Sequence, residues 1–486
     1  MSTVSEKNPV RQLSRRQLLR GVTRGALVGV AGGLLAACAA PAPAAAPAAP
    51  AATTAPAAAP AAATAAPAAA TTAPAAAAPA AGSVSELTIF WAQWDPANYL
   101  QQLVADYTTQ TGIKVNVKQE PWGSFSNVVS ADWAAKSTSW DMVVGDSQWI
   151  GQGATQGHYV DLTDWMKSKG LDKTVTPATL QYYGTYDGKY WAFPTEGDAL
   201  GWAYRKDLFE DPKEMAAFKA KYGYDLGIPK DLASLRDIAE FFTRPDSNLY
   251  GVGIYTQKDY DAITMGAQNF IFAYGGDWGD KINSEGAVKG LELYAQLYKF
   301  SAPGLSNAFF QELNDAFISG QLAMITNYFA FLPALVNPSI DTKYADKVGF
   351  FSTPPGPAGQ FASLGGQGIS ISSYIADDRK EASKAFIEWF GKPETQKKWA
   401  ELGGYTCNID VLKSAEFLKA TPYNAAFAQT MTFVKDFYNN PVYGDLLVPA
   451  QREFSKYVVS GEGTAQEALD TIRKEHDDIL TKAKLK

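Results

Sequence analysis

From Ala39 to Ala81 the chain contains only Ala, Pro and Thr, and no charged residue occurs from Gly25 through Ser85. Such a tract lacks the apolar bulk to form a core, and its recurrent proline breaks helix and favours extended polyproline backbone. Folding is therefore confined to the residues beyond it. At ~3.1 Å per residue the tract reaches about 100 Å or more, which suits a tether holding a globular body away from a surface.

The residues before the tract explain which surface. Ser14-Arg15-Arg16-Gln17-Leu18-Leu19-Arg20 reads as a twin-arginine export signal, and the apolar stretch Gly25 to Ala37 ends in Leu35-Ala36-Ala37-Cys38, a lipobox. That stretch is about thirteen residues, shorter than the ~18 to 20 needed to cross a bilayer, so it fits a cleaved leader. Cleavage before Cys38 leaves its thiol as the acylated N-terminus. The expected layout is a leader over 1–37, an acylated cysteine and tether over 38–82, and a body from 83 onward. The expected location is the outer face of the cytoplasmic membrane.

Without the leader the chain carries 37 Lys and Arg against 49 Asp and Glu, a formal net charge of −12. An acidic body with no basic block is a poor match for nucleic acid or anionic lipid. With Cys38 acylated, Cys407 has no intrachain partner and is expected to be a small buried hydrophobe. The two histidines, His158 and His476, are far apart, and there is no HExxH or CxxC spacing. Neither a metal nor any other cofactor is expected.

The 404 residues from Ser83 to Lys486 exceed what one core accommodates and fit two lobes. Strand-like runs at Glu86 to Trp91, Ile113 to Gln119 and Asp141 to Val144 alternate with helical patterns at Ala97 to Thr111 and Phe125 to Ala135. Gly112 is placed to end the first helix. Helical patterns at Leu232 to Phe242, Ala262 to Tyr274, Gly286 to Phe300 and Phe309 to Ser319 then surround strand candidates Tyr250 to Tyr255 and Leu322 to Thr326. Two further helices are expected at Pro449 to Val459 and Thr464 to Lys482, the second opened by a Thr464/Glu467 capping box. This alternation predicts an α/β protein with a mostly parallel, helix-covered sheet in each lobe.

Three segments carry a family likeness. Ser139 to Ser147 (SWDMVVGDS), Tyr186 to Leu208 (YDGKYWAFPTEGDALGWAYRKDL) and Ala316 to Asn327 (AFISGQLAMITN) resemble the extracellular solute-binding proteins of ABC importers, nearest the carbohydrate-binding branch that includes maltose-binding protein. The resemblance runs over most of Leu87 to Lys482. It implies a two-lobed periplasmic-binding-protein fold of type II, with lobe 1 formed by 83–196 and 356–403 and lobe 2 by 199–350 and 406–486. Hinge crossings then fall near Thr195 to Trp202 and Phe351 to Pro355. It also implies a monomer that hands a bound carbohydrate to an ABC permease without turnover.

Ligands of open α/β sheets bind beyond the carboxyl ends of the strands, and those ends carry Trp94, Asp95, Glu120, Trp122, Asp146, Ser147 and Trp149. Asp198 lies in the crossing segment; Tyr260, Trp278, Asn327 and Tyr328 are the candidates in the second lobe. Indole faces stack on sugar rings while carboxylates and amides bond hydroxyls in fixed directions. The resemblance singles out Asp146 and Asp198 as polar contacts and Tyr260 as a stacking ring. Asp95 is equally a candidate to cap the helix opening at Pro96, and Gly365-Gly366-Gln367-Gly368 reads as a tight turn into Ile369, with a ligand loop as the alternative. A neutral sugar or polyol suits loops rich in acid and poor in Lys and Arg, with a polyamine as the cationic alternative. Paired carboxylates would also serve an extracellular carbohydrate-active enzyme.

Overall fold

The computed structural model describes residues 84–259, 262–337, 343–436 and 439–486. The leader, Cys38 and the tether lie outside the described residues, as does Tyr260. Among the described residues no helix is long and apolar enough to cross a membrane.

Strand β1 (Glu86–Ala92) buries Leu87, Ile89, Phe90 and Trp91. The helix Asp95–Thr111 folds back over it, burying Leu100, Leu103, Val104 and Tyr107 along one face. Gly112 stops that helix at φ 76°, where its N–H reaches Thr108 O. Strand β2 (Lys114–Glu120) then pairs with β1 in parallel, from Glu86 opposite Lys114 to Ala92 opposite Glu120. After the helix Trp122–Ala135, β3 (Met142–Asp146) adds to the other side of β1.

The chain next forms β4 (Phe193–Glu196) and passes almost directly into β5 (Leu200–Arg205). A second group comes after them: β6 (Tyr250–Gly253), β7 (Leu322–Tyr328) and β8 (Val348–Ser352), and the chain returns to the first sheet as β9 (Gln367–Ile371). The sheets have the orders β2-β1-β3-β9-β4 and β8-β5-β7-β6. Two sheets with separate helical covers make the molecule two-lobed.

The mostly parallel pattern expected of each lobe holds for β1 to β3 and for the β6–β7 pair. Strand β9 runs antiparallel to both β3 and β4, and β5 runs antiparallel to both β7 and β8. The reason is topological. Strands that enter a sheet by crossing from the other lobe need no crossover helix, so nothing forces them to run parallel.

Two details depart from the sequence pattern. The helix expected from Pro449 begins at Tyr443 and carries Pro449 inside it. An internal proline costs a helix about 3 kcal/mol, offset here by burial of Tyr443, Leu446, Ala450 and Phe454 on one face. The glycine-rich run at 365–368 is less a turn than the start of β9, since Gln367 and Gly368 are already in the sheet. A Cβ on Gly366 would stand 2.4 Å from Glu196 O, so this close approach of backbones requires glycine.

Thr464 forms its capping box as patterned, with Glu467 Oε2 accepting from Thr464 N at 2.8 Å. Cys407 is buried and unpaired.

Candidate functional site

In the first sheet β1, β2, β3 and β4 all end at one edge, and β9 begins there. The segments leaving that edge carry the aromatic and acidic residues. Trp94 meets Trp122 edge-on with ring centroids 5.5 Å apart, Trp122 stands 6.1 Å from Phe125, and Phe125 5.4 Å from Trp149. Trp122 and Trp149 keep part of their surface exposed and, with Asp146 and Gln148, line one side of a cavity of about 320 Å³. Asn440, Pro441, Tyr443 and Leu447, from the start of the helix Tyr443–Phe454, form the other side. That volume is at the small end of ligand pockets, and none of its lining residues is cationic.

Burial pushes the Asp146 carboxyl up to about 6, against the pull of the Gln148 and Ser147 N–H groups and the Ser147 hydroxyl. Asp198 lies deeper, on the crossing between β4 and β5. Its Oδ1 accepts from Ala199 N at 2.8 Å and Ala330 N at 3.2 Å, and desolvation still pushes its carboxyl up to about 7. Glu120 accepts from Ser124 Oγ at 2.6 Å.

The other candidates have different fates. Asp95 is exposed at the first helical position and makes no capping bond; Trp94 holds the cap position instead. Ser147 is buried, its hydroxyl donating to Asp436 Oδ2 at 2.7 Å. Trp278 is not a cleft wall. The C-terminal helices fold back over the helix Ala262–Ala273, seating its ring near Phe454 and His476, with Nε1 donating to Gln268 Oε1 at 2.9 Å.

Asn327 is fully buried and committed. Its Oδ1 accepts from Tyr255 Oη at 2.6 Å and Tyr328 N at 2.9 Å, while Nδ2 donates to Phe310 O and Asn314 Oδ1. Tyr328 is buried beneath the return segment, its hydroxyl donating to Leu364 O at 3.3 Å. Sequence reasoning missed Asn440, Tyr443 and Leu447. The turn-forming Asn439-Asn440-Pro441 ahead of an aromatic was the available signal for all three.

A family model for bacterial extracellular solute-binding proteins matches residues 102–426. The chain belongs to that family. Among curated relatives, this solute-binding protein is 24% identical over 336 residues to a probable amino-acid ABC transporter periplasmic-binding protein of Sinorhizobium fredii, covering 66% of this chain and 72% of that one. It is 25% identical over 267 residues to the galactooligosaccharide-binding protein of Bacillus subtilis, covering 52% and 58%. A ribitol-bound ABC transporter solute-binding protein of Agrobacterium radiobacter superposes with a TM-score of 0.67 at 26% identity, over 82% of this chain and 99% of that chain. A maltose-bound protein of T. maritima gives 0.67 at 21%, over 81% and 100%.

Two results are expected from this arrangement. Trp278→Phe in the solute-binding protein removes the bond to Gln268, so melting temperature falls by a few degrees while affinity for whatever solute binds stays within about twofold. Asp198 and Asp146 carry raised carboxyls, so the native state holds protons that the unfolded chain has released. Their contribution to stability is therefore most favourable at pH 4 and declines until pH passes about 7. Thermal melts of wild type and Asp198→Asn, which keeps an acceptor for Ala199 and Ala330, should converge at pH 4 to 5. At pH 8 the variant should melt higher; equal melting throughout would contradict the buried-acid geometry.

Proposed function

We propose that the chain is the capture subunit of an ABC importer for a neutral carbohydrate or polyol. Exported by its twin-arginine leader and held at the outer face of the cytoplasmic membrane by lipid on Cys38, it works as a monomer. The ligand sits between lobe 1 (83–196 with 356–403) and lobe 2 (199–350 with 406–486), touching both only when they close. Its differential affinity for the closed form shifts the population toward the state a permease recognises.

The observation that carries this reading is the cavity wall: two part-exposed indoles, one half-buried carboxyl and amide side chains, with no cation. Indoles offer flat apolar faces to a sugar ring, and the carboxyl and amides bond its hydroxyls. An anionic solute would meet Asp146 with nothing to neutralise it. The ribitol-, mannitol- and maltose-bound relatives of this fold point the same way. Binding without turnover is supported by the family and by Asp198, whose Oδ1 is occupied by two backbone N–H groups.

The test is a melting screen of the body against neutral sugars, polyols, amino acids and spermidine. A ligand present at 100 times its Kd adds about 2.7 kcal/mol to native stability, a shift of several degrees. A rise with a sugar or polyol is expected. A rise with amino acids or spermidine alone would overturn the neutral-solute reading.

A further inference from the structure

Two side chains at the ligand edge of the first sheet are completely buried, and each leaves one polar atom unpartnered by protein. Glu196 Oε2 accepts from Tyr405 N at 3.3 Å, whereas its Oε1 has no partner. Gln367 Oε1 accepts from Trp91 Nε1, whereas its Nε2 has no partner. The two residues stand opposite each other on β4 and β9. Opposed residues on neighbouring strands leave the same face with Cβ atoms about 5 Å apart. Glu196 Oε1 and Gln367 Nε2 thus belong to side chains of paired residues, beside a register shift in the ladder, and are not bonded to each other.

Two further unpartnered donors lie in the same aromatic cluster. Trp94 Nε1 and Trp399 Nε1 are also buried without partners. Both rings pack around Trp91, the indole that Gln367 holds, at 5.8 and 6.4 Å between centroids. Trp94 in turn touches Trp122, which lines the cavity. Buried polar groups in native proteins are almost always satisfied, so unpartnered groups gathered at the ligand edge mark a place for an exchangeable polar partner.

We propose that Glu196 and Gln367 form a buried two-point subsite for one hydroxyl of the bound solute, with the Trp94 N–H beside it. The proposal rests on the neutral-carbohydrate reading and narrows it. Desolvation first, and then the neighbouring Asp198 charge, push the Glu196 carboxyl well above its ordinary range. A protonated carboxyl both donates and accepts, and Gln367 Nε2 and the indole N–H groups donate. A hydroxyl meets both demands. An ammonium has no lone pair for those donors, and a carboxylate would be driven off by Asp198. The subsite therefore selects an uncharged, polyhydroxylated molecule whose end reaches past Trp94 to the floor of the cleft.

The test is calorimetric titration of the full chain with ribitol, D-mannitol, D-tagatose and maltose, then of the tightest binder and its complete set of monodeoxy analogues. Wild type is expected to lose about tenfold or more in affinity for one analogue. Gln367→Leu should lose a similar factor on the parent solute and nothing further on that analogue. Glu196→Met, which keeps the side chain's length but can neither donate nor accept there, should show the same coupling, and it carries the test alone if the Gln367 variant does not fold. If the parent and every analogue bind both variants as they bind wild type, a fixed water satisfies these groups and the subsite is overturned. If none of the four solutes binds wild type, the import reading fails and the subsite with it.

Discussion

Arg379→Met is expected to lower the melting temperature of the body by roughly 4 °C. Asp141, which immediately precedes β3, is almost fully buried. Arg379 grips it with two parallel bonds, Nε to Oδ1 at 2.6 Å and Nη2 to Oδ2 at 2.7 Å, and also donates to Glu86 O. Asp141 Oδ2 additionally accepts from Thr88 N at 2.7 Å. One guanidinium thus ties the helix Asp377–Phe390 to both β1 and β3. Removing it strands a buried carboxylate, which costs about 3 to 5 kcal/mol; the partly exposed Arg379 places the cost at the lower end. A change of about 3 kcal/mol moves the midpoint of a body of this size, whose unfolding entropy is about 2.1 cal/mol/K per residue, by roughly 4 °C. Lys380→Met is the control. Its partner Asp377 is almost wholly in solvent, so its loss should shift melting by about 1 °C or less.

Trp149→Ala is expected to weaken solute binding by about 30-fold or more while leaving the fold nearly as stable. The ring stands at the end of β3 with Asp146, flanked by Phe125 and forming the wall of the cavity. A stacked indole at the centre of a binding site is the kind of anchor whose truncation costs about 2 kcal/mol or more, and each 1.4 kcal/mol is about tenfold. Because Trp149 is only part-buried, its removal takes little from the core. Calorimetry on wild type and variant with the tightest solute of the melting screen supplies the measurement. Trp165→Ala is the comparison, since that part-exposed tryptophan lies on the helix Thr163–Lys169 and is not among the residues lining the cavity. Equal affinity for wild type and Trp149→Ala would place the ligand elsewhere.

Much of this body was legible in the chain. The 3.6-residue spacing of Leu100, Leu103, Val104 and Tyr107 marked a helix face, Gly112 its end and Thr464 with Glu467 a later beginning, because each depends on neighbours within one turn. The placement of Trp94, Trp122, Asp146 and Trp149 beyond the strand ends was legible too. Three parallel strands in register must end together, so the segments leaving them are brought together.

Other features depend on residues far apart in sequence, and no local pattern names them. Trp278 and Trp149 look alike as aromatics at element ends, but the C-terminal helices cover the first and leave the second open. Asn327 reads as a sugar ligand until Tyr255, Phe310, Asn314 and Tyr328 consume its bonds. Arg379 finds Asp141 across 238 positions, and Gln367 faces Glu196 across a return from the other lobe. Periodicity states that a side chain is buried, and only the crossing of strands and helices states against what. The two-lobed α/β plan and the residue types at the strand ends were therefore written in the sequence, which also carries the patterns from which a leader and a tether are proposed. Which of those side chains face a ligand was decided by the tertiary structure, because a polar group's role is set by whether the fold has already supplied its partner.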